Sequence, residues 1–293
     1  MPGYHSGETA SVDRVVAWSE RLGFPRRRWF AAAPEQVAEE MEITSGVHLV
    51  DGVRGSNVYL LTDGPMTLVD TGLPGNVAAI LDFIALLGRD PGELAYIVLT
   101  HGHMDHSGSA AALKRVTGAK IVAHEDEGDV QDDGATLVTG DSNGRRHFLA
   151  GVLARVARFE PCQVDVRTSD GELLPCAGGL RVVHTPGHTR GSMALLLEGR
   201  GVVFVGDAII GNGDRLSRPL PFGSNAGESE RSLANLGRLS FETCCFGHGA
   251  PLTPGAAEAV RGLAGSPPRT PLWRRIIFRR HDLVGFGRRL RRR

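Results

Sequence analysis

The sequence predicts an α/β architecture in which two mixed β-sheets pack face to face with helices outside, and three observations predict it. Short β-rich runs separated by glycine turns open the region after Val47, and strands then alternate with helical stretches. The chain has 293 residues, 41% of them hydrophobic, which is enough to build a substantial core.

Residues 1 to about 42 have the pattern of a peripheral helical extension. Val12, Val15, Val16 and Leu22 recur at rough helical spacing, and Pro25 followed by Arg26, Arg27 and Arg28 breaks it. From Val47 the runs VHLV, SNVYLLT and MTLVD, with turns at Asp51-Gly52 and Asp63-Gly64-Pro65, predict the opening strands. A helix follows with Val77, Ile80, Leu81, Ile84 and Leu87 on one face. The next strand, AYIVLT, has the apolar run of a strand buried on both faces and ends directly at His101.

The cycle repeats with a helix near Gly108 to Val116, the strand KIVAH, and a helical and loop stretch to about residue 160. Strands around LRVVHT, SMALLLE and GVVFVGD come next, then a helix near Glu228 to Leu239 and the short strand ETCCFG. The expected organisation is an N-terminal helical extension (1–42), a central α/β domain (43–265) and a basic C-terminal tail (266–293).

Formal charge is zero overall but unevenly placed. From Ser266 to Arg293 there are ten arginines against one acid, Asp282, a local balance of +9, so the rest of the chain carries about −9. An acidic body argues against a nucleic-acid partner. No stretch approaches the roughly 20 apolar residues of a membrane span, and the first residues lack an apolar h-region behind a basic start, so the expected location is cytoplasmic. Cys162, Cys176, Cys244 and Cys245 form no CxxC pair and are expected to be inert.

The chemistry concentrates in THGHMDHSG, which holds His101, His103, Asp105 and His106 immediately after an apolar strand. Imidazole and carboxylate suit zinc and similar ions, and a tight loop at a strand end can aim several at one point. Three later segments each offer one ligand after an apolar run: His188 in HTPGHTRGS, Asp207 in VFVGDAI and His248 in FGHGAP. Alone, each has an ordinary structural explanation as a loop histidine, a turn or cap residue, or a surface residue between glycines. His184 is equally well explained as the end of a strand and is left out of the site. His124, which ends KIVAH, is expected to pack locally beside the cleft.

THGHMDH, then PGH, GD and GHG, together with the earlier VDTG, resembles the metallo-β-lactamase superfamily over roughly Val47 to Leu263. The resemblance implies an αββα sandwich with metals held by loops at one edge of the two sheets. It further implies that His101, His103 and His188 bind a first metal and that Asp105, His106 and His248 bind a second. Asp207 would bridge the two, and Asp70 of VDTG would orient a ligand histidine from outside the coordination sphere. The implied cofactors are two zinc ions, with manganese or iron as substitutes.

Two such cations lower the pKa of a shared water towards neutrality, so the expected reaction is attack by a bridging hydroxide on a carbonyl, with Asp105 as the catalytic carboxylate that orients it. The expected partner is a small-molecule substrate with a lactone or thioester bond. Asp207 stands where the commonest zinc β-lactamases use cysteine, the acidic body disfavours a nuclease, and only about 45 residues follow His248, which disfavours the glyoxalase II form of thioesterase. The competing classes are a mononuclear iron oxidoreductase of the persulfide-dioxygenase type and a phosphodiesterase or nuclease.

Three outlying segments complete the reading. Phe148, Leu149, Val152, Leu153 and Val156 lie along one helix of the 125–165 insert, which either covers the cleft or faces the core. Gly211 to Asn225 is expected as a loop forming a second wall. In the tail, Trp273, Ile276, Ile277, Leu283, Val284 and Leu290 recur among arginines, the pattern of a basic amphipathic segment for an anionic membrane surface. Gly285 and Gly287 weaken that helix, and docking on the acidic body is the alternative. The sequence carries no signal for oligomeric state.

Overall fold

The structure, a computed structural model, describes residues 39–127, 160–212, 215–218 and 225–267. The N-terminal helical pattern at 12–22, the helix expected at 148–156 and the basic tail beyond residue 267 lie outside the described residues.

Fourteen short strands build the described core. They are β1 (Glu42–Thr44), β2 (Val47–Leu49), β3 (Tyr59–Leu61), β4 (Met66–Val69), β5 (Leu94–Val98), β6 (Lys120–His124), β7 (Val166–Thr168), β8 (Leu173–Leu174), β9 (Leu180–His184), β10 (Met193–Leu197), β11 (Val202–Phe204), β12 (Ile210–Asn212), β13 (Arg215–Ser217) and β14 (Thr243–Cys245). Five helices accompany them: α1 (Val77–Leu86), α2 (Met104–Ser107), α3 (Ala110–Thr117), α4 (Ala226–Leu236) and α5 (Ala256–Gly265).

One sheet has the order β1-β2-β3-β4-β5-β6-β7, antiparallel through β4 and parallel from β4 to β7. The second has the order β14-β11-β10-β9-β8, with β11 and β14 parallel and the remaining pairs antiparallel. The change of connection follows the sequence: hairpin turns join the early strands, while helices return the chain for parallel pairing.

Side-chain alternation along each strand separates the core into layers. Ile97 and Leu99 of the β5 segment join Ile80, Phe83 and Ile84 of α1 beneath the first sheet. Val98, between them, turns the other way and meets Leu195, Phe204 and Val182 of the second sheet. Leu196 and Val203 face outward onto Leu233 and Leu236 of α4 and Val260 of α5. Three apolar layers between four layers of structure make an αββα sandwich, the architecture the sequence predicts.

The two sheets are tied together at one edge. The Tyr59 hydroxyl donates to the Phe246 carbonyl at 2.7 Å, the Asn57 N–H to Gly247 O at 2.7 Å, and the Met193 N–H to Thr100 O at 2.9 Å. These bonds bring the segments after β5, β9, β11 and β14 to a common rim.

Several local expectations change. Asp105 and His106 lie on α2, a single helical turn, and not in an open loop, while the following helix starts at Ala110 instead of near Gly108. α4 starts two residues earlier than expected because the Asn225 side chain caps it, accepting from the N–H groups of Gly227 and Glu228. Part of the loop expected at Gly211 to Asn225 is the β12–β13 hairpin. β1, β7, β8 and α5 were not predicted. All four cysteines are buried and form no disulfide; burial pushes the Cys176 thiol up to about 11. Among the described residues no helix is long and apolar enough to cross a membrane.

Candidate metal centre

The rim segments place the predicted residues in two trios. His101 and His103 follow β5, and His188 lies between β9 and β10. His101 Nε2 is 3.0 Å from His103 Nδ1, and His188 Nε2 is 2.9 Å from the same atom. Three nitrogens so close face one point. Ligands about 2.0–2.1 Å from a tetrahedral ion stand roughly 3.3 Å from one another, so one cation fits this trio.

The second trio is Asp105 and His106 of α2 with His248, from the segment after β14; their ligand atoms lie within 4.8 Å of one another. Asp105 Oδ2 is 3.3 Å from His248 Nε2. Asp207 sits in a 3₁₀ turn, Gly206–Ala208, immediately after β11, and its two oxygens face different trios. Oδ2 is 3.5 Å from His188 Nε2, whereas Oδ1 is 3.3 Å from His106 Nε2 and 3.6 Å from His248 Nε2.

The His106 Nε2 and Asp207 Oδ1 atoms are buried and, despite their 3.3 Å separation, are not aligned as a hydrogen bond. Two buried polar atoms aimed at the same space without satisfying each other are what a shared cation would satisfy. Gly247 makes room for this approach: a Cβ there would stand 2.5 Å from Asp207 Oδ1 and 2.7 Å from His106 Cε1.

Behind the trios, Asp70 supports both ends of the motif. Its Oδ1 accepts the Thr100 N–H at 2.8 Å, and its Oδ2 accepts the Thr100 hydroxyl at 2.8 Å and lies 2.8 Å from His106 Nδ1. Asp70 does this with φ at +59°, in the left-handed region that non-glycine residues rarely occupy.

Residues 51–248 match the family profile of the metallo-beta-lactamase superfamily, more than half of the chain. The chain belongs to the metallo-β-lactamase superfamily. Members are mostly hydrolases and typically hold divalent metals such as zinc.

Among relatives, the uncharacterized protein YobT of Bacillus subtilis is 32% identical over 158 residues, 52% of this chain and 61% of YobT. This chain therefore spans about three fifths of that relative. The probable metallo-hydrolase YflN of the same organism is 27% identical over 237 residues, covering 72% of this chain and 87% of YflN. Among solved structures, the metallo-beta-lactamase family protein TTHA1429 from Thermus thermophilus is similar with a TM-score of 0.60 at 26% identity, covering 76% of this chain and 78% of that one.

Electrostatics divide the candidate ligands of this superfamily member into two kinds. Burial first, and then the neighbouring His188 and His106, push His103 down to about 4. Burial also lowers His188, with Asp207 pulling the other way, and holds His101 well below the ordinary imidazole range. This trio is thus neutral and ready to donate lone pairs at physiological pH. His106 behaves oppositely: burial opposes its charge, but Asp70 and Asp207 outweigh burial and raise it well above the ordinary range. Burial likewise opposes the ionised form of Asp105, yet the close contact with His248 and the charge of His106 keep that carboxyl below the usual range.

His124 and His184 stay outside both trios. Their rings stack at 3.9 Å with planes 10° apart. His184 Nε2 is 2.9 Å from the Arg190 carbonyl, and His124 Nδ1 accepts the Asp126 N–H at 3.2 Å. Their ligand atoms lie within 4.8 Å of one another and of an Asp126 oxygen, but His184 Nε2 already meets the Arg190 carbonyl and His124 Nδ1 the Asp126 N–H.

Sequence reasoning missed Thr100, Asn57 and Glu127. Thr100 precedes His101 and holds Asp70. Asn57 Nδ2 donates to Phe246 O at 3.0 Å and Gly249 O at 2.6 Å, fixing the His248 segment. Thr100 acts on a distant side chain and Asn57 on distant backbone, which leaves no local spacing to find. Only the glycines flanking the ligands hinted that something approaches closely.

Proposed function

We propose that this chain is a di-metal hydrolase of carbonyl ester-type bonds, with a lactone or thioester of a small molecule as substrate. The observation that supports it most is the placement of Asp207, with one oxygen toward each trio. A pair of divalent cations, zinc by preference, would supply Lewis acidity and lower the pKa of a water held between them.

The chain's own residues would do the rest. His101, His103 and His188 hold the first cation as neutral donors, while Asp105, His106 and His248 hold the second. Asp207 would contribute to both, with one oxygen toward each trio. Asp105 is partly exposed, as is His248, and remains ionised, so it can accept a hydrogen bond from a nucleophilic water as well as bind metal. Carbonyl chemistry is favoured over phosphodiester cleavage by the net charge of about −9 outside the tail, which repels polyanions.

The test follows acid release with a pH indicator, using zinc- or manganese-loaded protein against lactones, thioesters and β-lactams, with His103→Ala as the blank. The expected result is turnover of a lactone or thioester that His103→Ala abolishes. Silence across the panel with metal bound contradicts the proposal and shifts weight to iron-dependent oxidation or phosphodiester cleavage.

A further inference from the structure

Glu127 ends the 3₁₀ turn Glu125–Glu127 directly after β6, outside all the ligand-bearing segments. Its two carboxylate oxygens serve different loops. Oε1 accepts the N–H of Gly102, the residue between His101 and His103, at 2.6 Å. Oε2 accepts the Thr189 hydroxyl at 2.6 Å and the Gly191 N–H at 3.0 Å, one and three residues after His188.

Both loops are shaped around this residue. A Cβ on Gly191 would collide with the Glu127 backbone nitrogen, and one on Gly102 would stand 2.9 Å from Oε1. Gly102 is also held at its carbonyl, which accepts the Ser107 hydroxyl at 3.0 Å. A carboxylate accepting three hydrogen bonds is a strong and directional tie, because each bond to an ionised acceptor is shorter and stronger than a neutral one.

We propose that Glu127 is the positioning residue that sets the spacing of the His101, His103 and His188 nitrogens, by clamping the loop that carries the first two to the loop that carries the third. The inference rests on the metal reading of the trio given above. Its physical basis is that these ligands come from chain segments more than 80 residues apart, yet must converge to about one bond length from a single ion. The carboxylate bonds of Glu127 all go to the two loops of the first trio, so the clamp acts most directly on that cation.

Cobalt(II) is the probe. Metal-free wild type, Glu127→Gln, Glu127→Ala, Thr189→Val and His103→Ala are titrated in competition with a chromophoric chelator, and the visible ligand-field spectrum is recorded at each step. Glu127→Gln keeps the size and one acceptor oxygen but turns donors toward donors at the other, so it tests the clamp even if Glu127→Ala fails to fold. The expected result is a loss of roughly 10–100-fold in cobalt affinity at one site only, the site that His103→Ala removes, with an altered spectrum there. Thr189→Val should weaken the same site by a smaller factor. Wild-type affinity and spectrum at both sites in Glu127→Gln and Thr189→Val, while His103→Ala loses a site, overturn the clamp and leave the metal reading intact. A wild-type protein that binds no cobalt overturns both.

Discussion

His106 Nδ1 stands 2.8 Å from Asp70 Oδ2, and this one contact decides that His106 turns its Nε2 toward Asp207. The pairing also accounts for the unusual backbone of Asp70, whose positive φ aims a single carboxylate at both Thr100 and His106.

Asp70→Asn should preserve the fold, because asparagine tolerates the left-handed region, but should remove the charge that orients His106. The expected loss is about 10–100-fold in zinc affinity, read by competition with a chelator. Wild-type affinity would show that His106 needs no orienting partner.

Gly247→Ala places a methyl group 2.5 Å from Asp207 Oδ1 and 2.7 Å from His106 Cε1, so both side chains must shift. The variant should fold, with an unchanged far-ultraviolet circular dichroism spectrum, and carry less than the wild-type zinc content on elemental analysis. Full zinc occupancy would mean that the segment after β14 has room to move.

The sandwich itself was largely legible in the sequence, because the strands that end at the site are apolar runs followed at once by a ligand. The αββα layering follows from period-two alternation, as at Val98 between Ile97 and Leu99. α2 was not legible, since one helical turn inside a His/Asp motif has no periodicity to show. α5, AAEAVRGLAG, was missed although Ala256 and Val260 recur at helical spacing on its buried face; Pro254 and Gly255 just before it and Gly262 within it interrupt the pattern. The seven ligand candidates were readable as side chains of the right type in the right order. Glu127 was not, because it works by accepting backbone N–H groups from Gly102 and Gly191, and a backbone donor carries no residue-type signature.

The interface between the sheets offers a stability test that removes no candidate ligand side chain. Phe204 of β11 is 1% exposed and lies against Tyr59 of β3 with ring centroids 5.3 Å apart. Phe204→Ala should cost about 3–5 kcal/mol in denaturant-induced unfolding of the metal-free protein. A cost below about 1 kcal/mol would contradict the layer assignment, because a buried aromatic between two sheets cannot be deleted so cheaply.

Acid should destabilise the metal-free protein partly through His103. Its folded-state pKa is about 4, below the ordinary 6.5, so between these values the unfolded chain binds a proton that the folded chain refuses. Stability from this group is therefore complete above about pH 6.5 and is lost as pH falls toward 4. His106 is raised and works in the opposite direction, so the test is a comparison. His103→Asn should show a smaller drop in unfolding free energy than wild type between pH 6.5 and 4; equal drops would contradict the assignment.

The most direct test of the central claim is a calorimetric zinc titration of the metal-free protein alongside His188→Ala and Asp207→Ala, with turnover measured on the same samples. The account predicts two zinc equivalents for wild type, loss of the first-site equivalent and of turnover in His188→Ala, and in Asp207→Ala a disturbed pair that no longer binds two ions tightly. Full zinc content with wild-type turnover in His188→Ala would contradict it.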